Sequence, residues 1–296
     1  MKNQKIIPNL FLIGAPKAGT TAMSKYLGDH PNIFLCDPKE PDYFNDDFSN
    51  RYVTNLEKYL SLFSAASSDC MYFMDASTRY LQSERAVENI LEFNPESKFI
   101  VMLRNPCEII VALHSQYVYE GYDDQVGFER AWRLEPYRKR GKYIPEICIE
   151  PKMLYYREAC LLGRHIERLY GYVSKDRVHV IIFDDFVQNA KKVYETLLEF
   201  LGIPSDGREN FERVNPRRGY RFQWLQSLVL RLGNLKRRVG ITRGLGIYNV
   251  VKKFNVVTQP TDRISEELLQ EMKGFFREDV KLLSEYVERD LTHWVE

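Results

Sequence analysis

Apolar and polar positions along the 296-residue chain alternate between two kinds of signal. Short apolar runs fall at residues 10–13 (Leu10, Phe11, Leu12, Ile13), 71–74, 99–103 and 178–183, the last interrupted only by His179. Runs of that length without polar alternation predict strands covered on both faces, as in a parallel sheet. Between them, apolar residues recur at helical spacing. One such segment covers 20–27 and stops before His30 and Pro31; others cover 83–93 and 107–119. A longer one covers 152–172, with a stripe through Leu154, Leu161, Leu162, Ile166 and Leu169. Another covers 191–201 and is closed by Gly202 as a left-handed cap, with Pro204 beyond it. A last helix is expected over about 262–292. This alternation predicts an α/β fold, a central parallel β-sheet flanked by helices. The expected organisation is one domain over residues 1–296, with a core near 8–205 and a basic cap near 206–260.

Charge changes this picture only locally. The formal net charge is +1, so no global field argues for nucleic acid or an anionic membrane as partner. Residues 208–253, however, hold twelve Lys or Arg against Glu209 and Glu212. That segment reads either as an amphipathic helix packed on the sheet or as a wall facing anionic ligands. The five cysteines (Cys36, Cys70, Cys107, Cys148, Cys160) form no CxxC pair and have no zinc-like spacing with histidine. Scattered thiols, no signal-peptide core and no apolar run of membrane-spanning length lead to the expectation of a cytoplasmic protein without a transmembrane segment.

The first apolar run leads into Gly14, Ala15, Pro16, Lys17, Ala18, Gly19, Thr20 and Thr21, and then a helix. A glycine-bounded turn between strand and helix aims backbone N–H groups and the positive end of the helix dipole at an anion. The magnesium-nucleotide version of such a loop carries lysine directly after its second glycine and a Ser/Thr metal ligand. Here Thr20 follows Gly19 and the lysine lies inside the loop, at Lys17. That placement suits the bridging oxygen of a phosphosulfate and calls for no metal.

Residues 16–21 resemble the PKxGTT signature of sulfotransferases that use 3′-phosphoadenosine-5′-phosphosulfate (PAPS) and release adenosine 3′,5′-bisphosphate (PAP). The resemblance implies the P-loop-like sulfotransferase fold. It also implies that Lys17, Ala18, Gly19, Thr20 and Thr21 hold the 5′-phosphosulfate, with Lys17 stabilising the leaving group. Residues 99–106 are similar to the family's 3′-phosphate-binding strand and turn. Arg104, at the carboxyl end of a parallel strand, is placed for bidentate phosphate binding. Next to it, Asn105, Pro106 and Glu108 have the chemistry of a helix start with a capping box. The family pattern places a serine eight residues after the arginine, where this chain has Ala112. Ser115 is the candidate substitute, or simply a helix serine. Arg217, Arg218 and Gly219 resemble a late basic-glycine element that closes over the 3′-phosphate, or form an ordinary basic loop.

The acceptor's proton needs a base. Lys39, Glu40, Pro41 and Phe44 resemble the KEPxxF segment of glycan-type and bacterial members, which implies Glu40 as the base. The alternative is a solvated acidic loop, since Asp37, Asp42, Asp46 and Asp47 are close by. Lys39 is a candidate to orient donor or acceptor. His114 is an outside candidate for the base, and Tyr117 opens an aromatic stretch expected to line an acceptor pocket. The expected reaction is in-line sulfuryl transfer from PAPS to a hydroxyl or amine of a small-molecule or saccharide acceptor. Two rivals stand beside it. One is a magnesium-nucleotide kinase, for which Asp184 and Asp185 are the only candidate metal acids; the other is a binding module of the same fold without catalysis.

Overall fold

The computed structural model describes residues 7–212, 219–220, 256–257 and 264–296. The chain divides into two compact units, one of residues 1–110, 157–214 and 266–296, the other of residues 111–156 and 215–265.

The first unit is built on a five-stranded parallel sheet in the order β2-β3-β1-β4-β5. Its strands are β1 (Leu10–Gly14), β2 (Ile33–Leu35), β3 (Tyr72–Asp75), β4 (Lys98–Leu103) and β5 (Val178–Ile182). Every residue of β1 is buried, as are all but the first of β4. That is the reason for their continuous apolar runs: both faces are covered, so no polar alternation is needed. The chain leaves β1 toward β2 and β3 on one side, then crosses to β4 and β5 on the other. The carboxyl ends of β1 and β4 therefore flank the point where strand order reverses, the place where open α/β sheets bind ligands.

Helix α1 (Thr20–Gly28) follows β1, and α2 (Leu56–Ser61) and α3 (Ala86–Phe93) lie on either side of β3 in sequence. Ser83 lies just before α3, and its Oγ accepts from Ala86 N at 3.0 Å. Helix α4 (Pro106–Glu120) starts at the predicted proline, and the division between the units falls within it.

The helix expected over 152–172 is three pieces: a 3₁₀ turn (Pro151–Leu154), a single turn α6 (Tyr156–Ala159) and α7 (Leu162–Tyr172). The cause is tertiary. Asp279 of the C-terminal helix α10 (Glu266–Val287) accepts from Gly163 N at 2.8 Å and Arg164 N at 3.0 Å, so α7 starts where another helix caps it. Gly163 is required there, because a Cβ would stand 2.2 Å from the Asp279 carbonyl oxygen. Helices α8 (Phe183–Gln188) and α9 (Ala190–Leu201) follow β5, and Gly202 closes α9 at φ 70°.

The second unit contains α5 (Phe128–Arg138), a helix not anticipated from the sequence. Its core is an ion pair, Arg138 to Asp123 through two hydrogen bonds of 2.8 and 2.7 Å, with Tyr156 OH donating to Asp123 at 2.7 Å. A two-residue antiparallel pair, β6 (Gly219–Tyr220) with β7 (Val256–Val257), also belongs to it. Most of the basic segment 208–253, including Arg217 and Arg218, lies outside the described residues.

Candidate active site

The loop after β1 is shaped by sterics. Gly14 sits at φ 151°, and a Cβ there would lie 2.8 Å from Leu81 Cβ and 2.9 Å from the Thr78 carbonyl oxygen. Ala15 N donates to the Met102 carbonyl of β4 at 2.6 Å, turning the chain across the sheet end. Lys17 adopts φ 62° and Gly19 φ 90°. Left-handed backbone at a lysine costs about 1 kcal/mol, a strain that clusters at functional sites. Helix α1 then begins with no side-chain cap and no acidic residue in its first turn. Its leading N–H groups and positive dipole end are thus left for an external anion.

Arg104 stands one residue past β4 and reaches this loop: its Nη1 donates to the Lys17 carbonyl at 3.0 Å. Its Nε donates to Glu108 Oε2 at 2.8 Å, and Nη2 contacts the same oxygen. Glu108 therefore completes no capping box. The guanidinium outcompetes the Asn105 amide for it, because a charged donor makes the stronger bond. Asn105 does cap, accepting from Cys107 N at 2.9 Å. Beneath both elements lies Phe183, which sequence reasoning missed. The Arg104 guanidinium carbon sits 4.5 Å from its ring centroid, and a Cβ on Gly19 would meet the same ring at 3.2 Å. Phe183 follows β5 directly, and its position at a strand's carboxyl end was the only signal available.

Glu40 occupies a second left-handed position, φ 61°, with Asp42 at φ 52°. Its Oε1 accepts from Lys39 Nζ at 3.0 Å and from Thr78 Oγ1 at 3.3 Å. Thr78 is the residue whose carbonyl confines Gly14, so one residue lies against the end of β1 and bonds to the Glu40 side chain. The segment after β3 holds the Glu40 loop in other ways too. Asp42 N donates to Ser77 Oγ at 3.1 Å, while Tyr43 N and Phe44 N donate to Tyr80 OH at 2.9 and 3.3 Å. Asp42 is buried and pairs with Arg79. Burial pushes its carboxyl up; Arg79 works against that, Glu40 adds to it, and Lys39 opposes it more weakly. Asp75, at the end of β3, is fully buried. Burial raises its carboxyl to about 7, against hydrogen bonds from Ser77, Tyr80 and Tyr59. The Glu40 loop is therefore an ordered, anchored segment and not a solvated acidic tract.

The remaining candidates belong to the second unit or are engaged in other contacts. His114 is buried in the second unit, its Nε2 2.7 Å from the Gln125 carbonyl and its ring edge-on to Phe128 and Tyr156. Tyr117 is buried in the same unit beside Tyr122 and Tyr156, and packs as core. Ser115 belongs to that unit too, and its Oγ donates to the Val111 carbonyl at 2.9 Å, back into its own helix. Gly219 is described only as backbone paired with Val257. Asp184 and Asp185, the metal acids a kinase would need, take Trp294 Nε1 at 3.1 Å and Arg289 Nη2 at 2.9 Å. Among the described residues, no three His, Cys, Asp or Glu side chains cluster as a metal site would require.

A family model described as "Sulfotransferase family" matches residues 8–207. Among curated proteins, the chain is 22% identical over 308 residues to the bifunctional heparan sulfate N-deacetylase/N-sulfotransferase 1 of Caenorhabditis briggsae, covering 99% of this chain and 32% of that one. It is 27% identical over 237 residues to the corresponding type 4 protein of Mus musculus, covering 75% of this chain and 25% of that one. The chain thus spans about a third or less of the length of these relatives. Among solved structures, a sulfotransferase from Alicyclobacillus acidocaldarius superposes with TM-score 0.72 at 22% identity, covering 98% of this chain and 100% of that one. Mouse SULT7A1 complexed with PAP superposes with TM-score 0.50 at 13% identity, covering 95% and 88%.

Proposed function

The chain belongs to the sulfotransferase family, and we propose that it transfers a sulfuryl group from PAPS to a hydroxyl or amine of a saccharide or small-molecule acceptor, releasing PAP. One observation carries this reading: the 3.0 Å hydrogen bond from Arg104 to the Lys17 carbonyl. It makes the loop after β1 and the arginine after β4 a single positively charged site at the uncapped start of α1. A guanidinium has five N–H donors, and the three contacts above leave two for a phosphate. Two left-handed residues and the close approach at Gly14 hold the loop's amides in a cradle suited to a polyanion.

Bound there, PAPS supplies an activated sulfuryl group. The chain's own residues divide the remaining work. Lys17, Ala18, Gly19, Thr20 and Thr21 hold the phosphosulfate through loop and helix N–H groups. The Lys17 ammonium offsets charge as it builds on the departing phosphate oxygen. Glu40 takes the acceptor's proton as the sulfur–acceptor bond forms and the sulfur–phosphate oxygen bond breaks, a role worth about 10²–10⁴ in rate. Lys39, paired to Glu40, orients that carboxylate or the acceptor. No step depends on Asp184 or Asp185, so donor binding is expected to tolerate EDTA. The names of the curated relatives make an N-unsubstituted glucosamine oligosaccharide the first acceptor to try. The five thiols, none in a disulfide, favour a cytoplasmic setting.

The test is transfer of labelled sulfate from PAPS to that oligosaccharide. Glu40→Gln should lower kcat by about 10²-fold or more while PAP binding persists. A variant that keeps full turnover would remove Glu40 from the base role.

A further inference from the structure

Among the contacts described, Asp75 bonds to Ser77, Tyr80 and Tyr59 and not to the loop after β1 or to Glu40, yet the segment holding Glu40 is tied to it. Three hydroxyls converge on its carboxylate: Ser77 Oγ donates to Oδ1 at 2.7 Å, Tyr80 OH to Oδ2 at 2.9 Å, and Tyr59 OH to Oδ2 at 3.0 Å. Two of them have a second task. Ser77 Oγ accepts from Asp42 N, and Tyr80 OH accepts from Tyr43 N and Phe44 N. The direction of these bonds follows from the loop. A backbone N–H only donates, so the Ser77 and Tyr80 oxygens must turn lone pairs to the loop amides, which leaves their protons for the Asp75 carboxyl oxygens. Asp75, Ser77 and Tyr80 are all fully buried, so no bulk water can replace a lost acceptor, and an amide left unpaired bears its full desolvation cost. Three successive backbone N–H groups, starting two residues after Glu40, are thereby fixed from the end of β3.

We infer that Asp75 is a positioning residue for the sulfuryl-transfer step, acting through Ser77 and Tyr80 to hold residues 42–44 so that Glu40 keeps its left-handed backbone and its place beside Thr78. This rests on the reading of Glu40 as the base. Tyr59 provides the internal contrast. It donates to the same carboxylate oxygen as Tyr80 and is equally buried, but among the contacts described its hydroxyl reaches no loop amide. Removing either hydroxyl takes one bond from Asp75; only the Tyr80 hydroxyl also accepts from the loop.

The experiment compares Tyr80→Phe, Tyr59→Phe, Asp75→Asn and Glu40→Gln with the parent chain. It reads amide hydrogen exchange at Tyr43 and Phe44, kcat with the glucosamine oligosaccharide, and the KM for PAPS. Both phenylalanine variants keep their rings, including the Tyr59–Tyr43 stack at 4.6 Å. Tyr80→Phe should speed exchange at both amides about 10-fold and lower kcat about 10- to 100-fold, because small misplacements of a reacting group cost that much. Its KM for PAPS should stay within about twofold. Asp75→Asn should behave alike, since an amide cannot accept on both sides and forces one hydroxyl to turn its proton toward the loop. Tyr59→Phe should change each reading by no more than about twofold. Equal effects of Tyr59→Phe and Tyr80→Phe on exchange and kcat, with Glu40→Gln inactive, would overturn the positioning role alone. Full turnover by Glu40→Gln would overturn the base reading and with it any catalytic consequence of Asp75. The exchange data need no acceptor and report the anchoring of the loop by themselves.

Discussion

Replacing Arg79 with methionine perturbs the Glu40 loop at its second anchor, and the size of the effect follows from burial. Asp42 has 1% of its side chain exposed and Arg79 20%, and the two form an ion pair. Methionine retains most of the stem's packing but leaves the Asp42 carboxylate buried without its main counter-charge. Breaking a buried pair from one side costs about 3–5 kcal/mol, and the partial exposure of Arg79 places this case near about 3. The loss has a predictable pH dependence. Burial already raises the Asp42 carboxyl and Arg79 lowers it, so in Arg79→Met the folded-state value moves further above the ordinary 3.8. A folded carboxyl with a raised pKa is stabilising when protonated, and that contribution is lost as pH rises. Urea unfolding should therefore show the variant destabilised by about 3 kcal/mol at pH 7.5, with the deficit shrinking toward pH 4.5. Adding Asp42→Asn should recover part of it at pH 7.5, since no unpaired charge then remains. A deficit below about 1 kcal/mol, or one that is the same at both pH values, would refute this reasoning, as it would place Asp42 in contact with water.

Further outcomes follow from other contacts. Gly14→Ala should lower stability by about 2 kcal/mol and weaken PAP binding, because its Cβ meets backbone and β-carbon atoms that cannot yield; a thermal scan with and without PAP separates the two effects. Asp279→Ala should cost about 1–2 kcal/mol in urea unfolding by uncapping α7, with KM for PAPS unchanged. Burial holds His165 down at about 3, with Arg168 adding to the effect, and His179 at about 4. Both lie below the ordinary 6.5, so the unfolded chain takes up these protons first and stability should fall as pH drops from about 6.5 toward 4. His179→Gln should flatten that slope.

The sequence was most readable where a single local rule decided the structure. β1 and β4 announced themselves as continuous apolar runs, the glycine-bounded turn between β1 and α1 marked the loop, and Gly202 ended α9. Lys17 and Arg104 follow different strands, β1 and β4, and the parallel register of those strands brings them together. What stayed hidden depended on distant partners. The start of α7 at Leu162 is set by Asp279, more than a hundred residues away. Glu108 fits a capping box by spacing, but Arg104 claims it. His114 and Tyr117 look available on a helix after the site, and only tertiary packing shows them buried in the second unit. β2 has three residues, too few for a periodicity to register. Phe183 and Asp75 carry no motif; their importance lies in what converges on them.

In the proposed reaction Lys17 and Arg104 form one site for a bisphosphorylated adenosine. The direct measurement is thermal stabilisation by PAP, in EDTA, of the parent chain, Lys17→Ala and Arg104→Ala. A ligand at 100 times its Kd stabilises by about 2.7 kcal/mol. The parent should show a shift of that order, and both variants should lose most of it while remaining folded. No stabilisation of the parent by PAP, or undiminished shifts in both variants, would contradict the account.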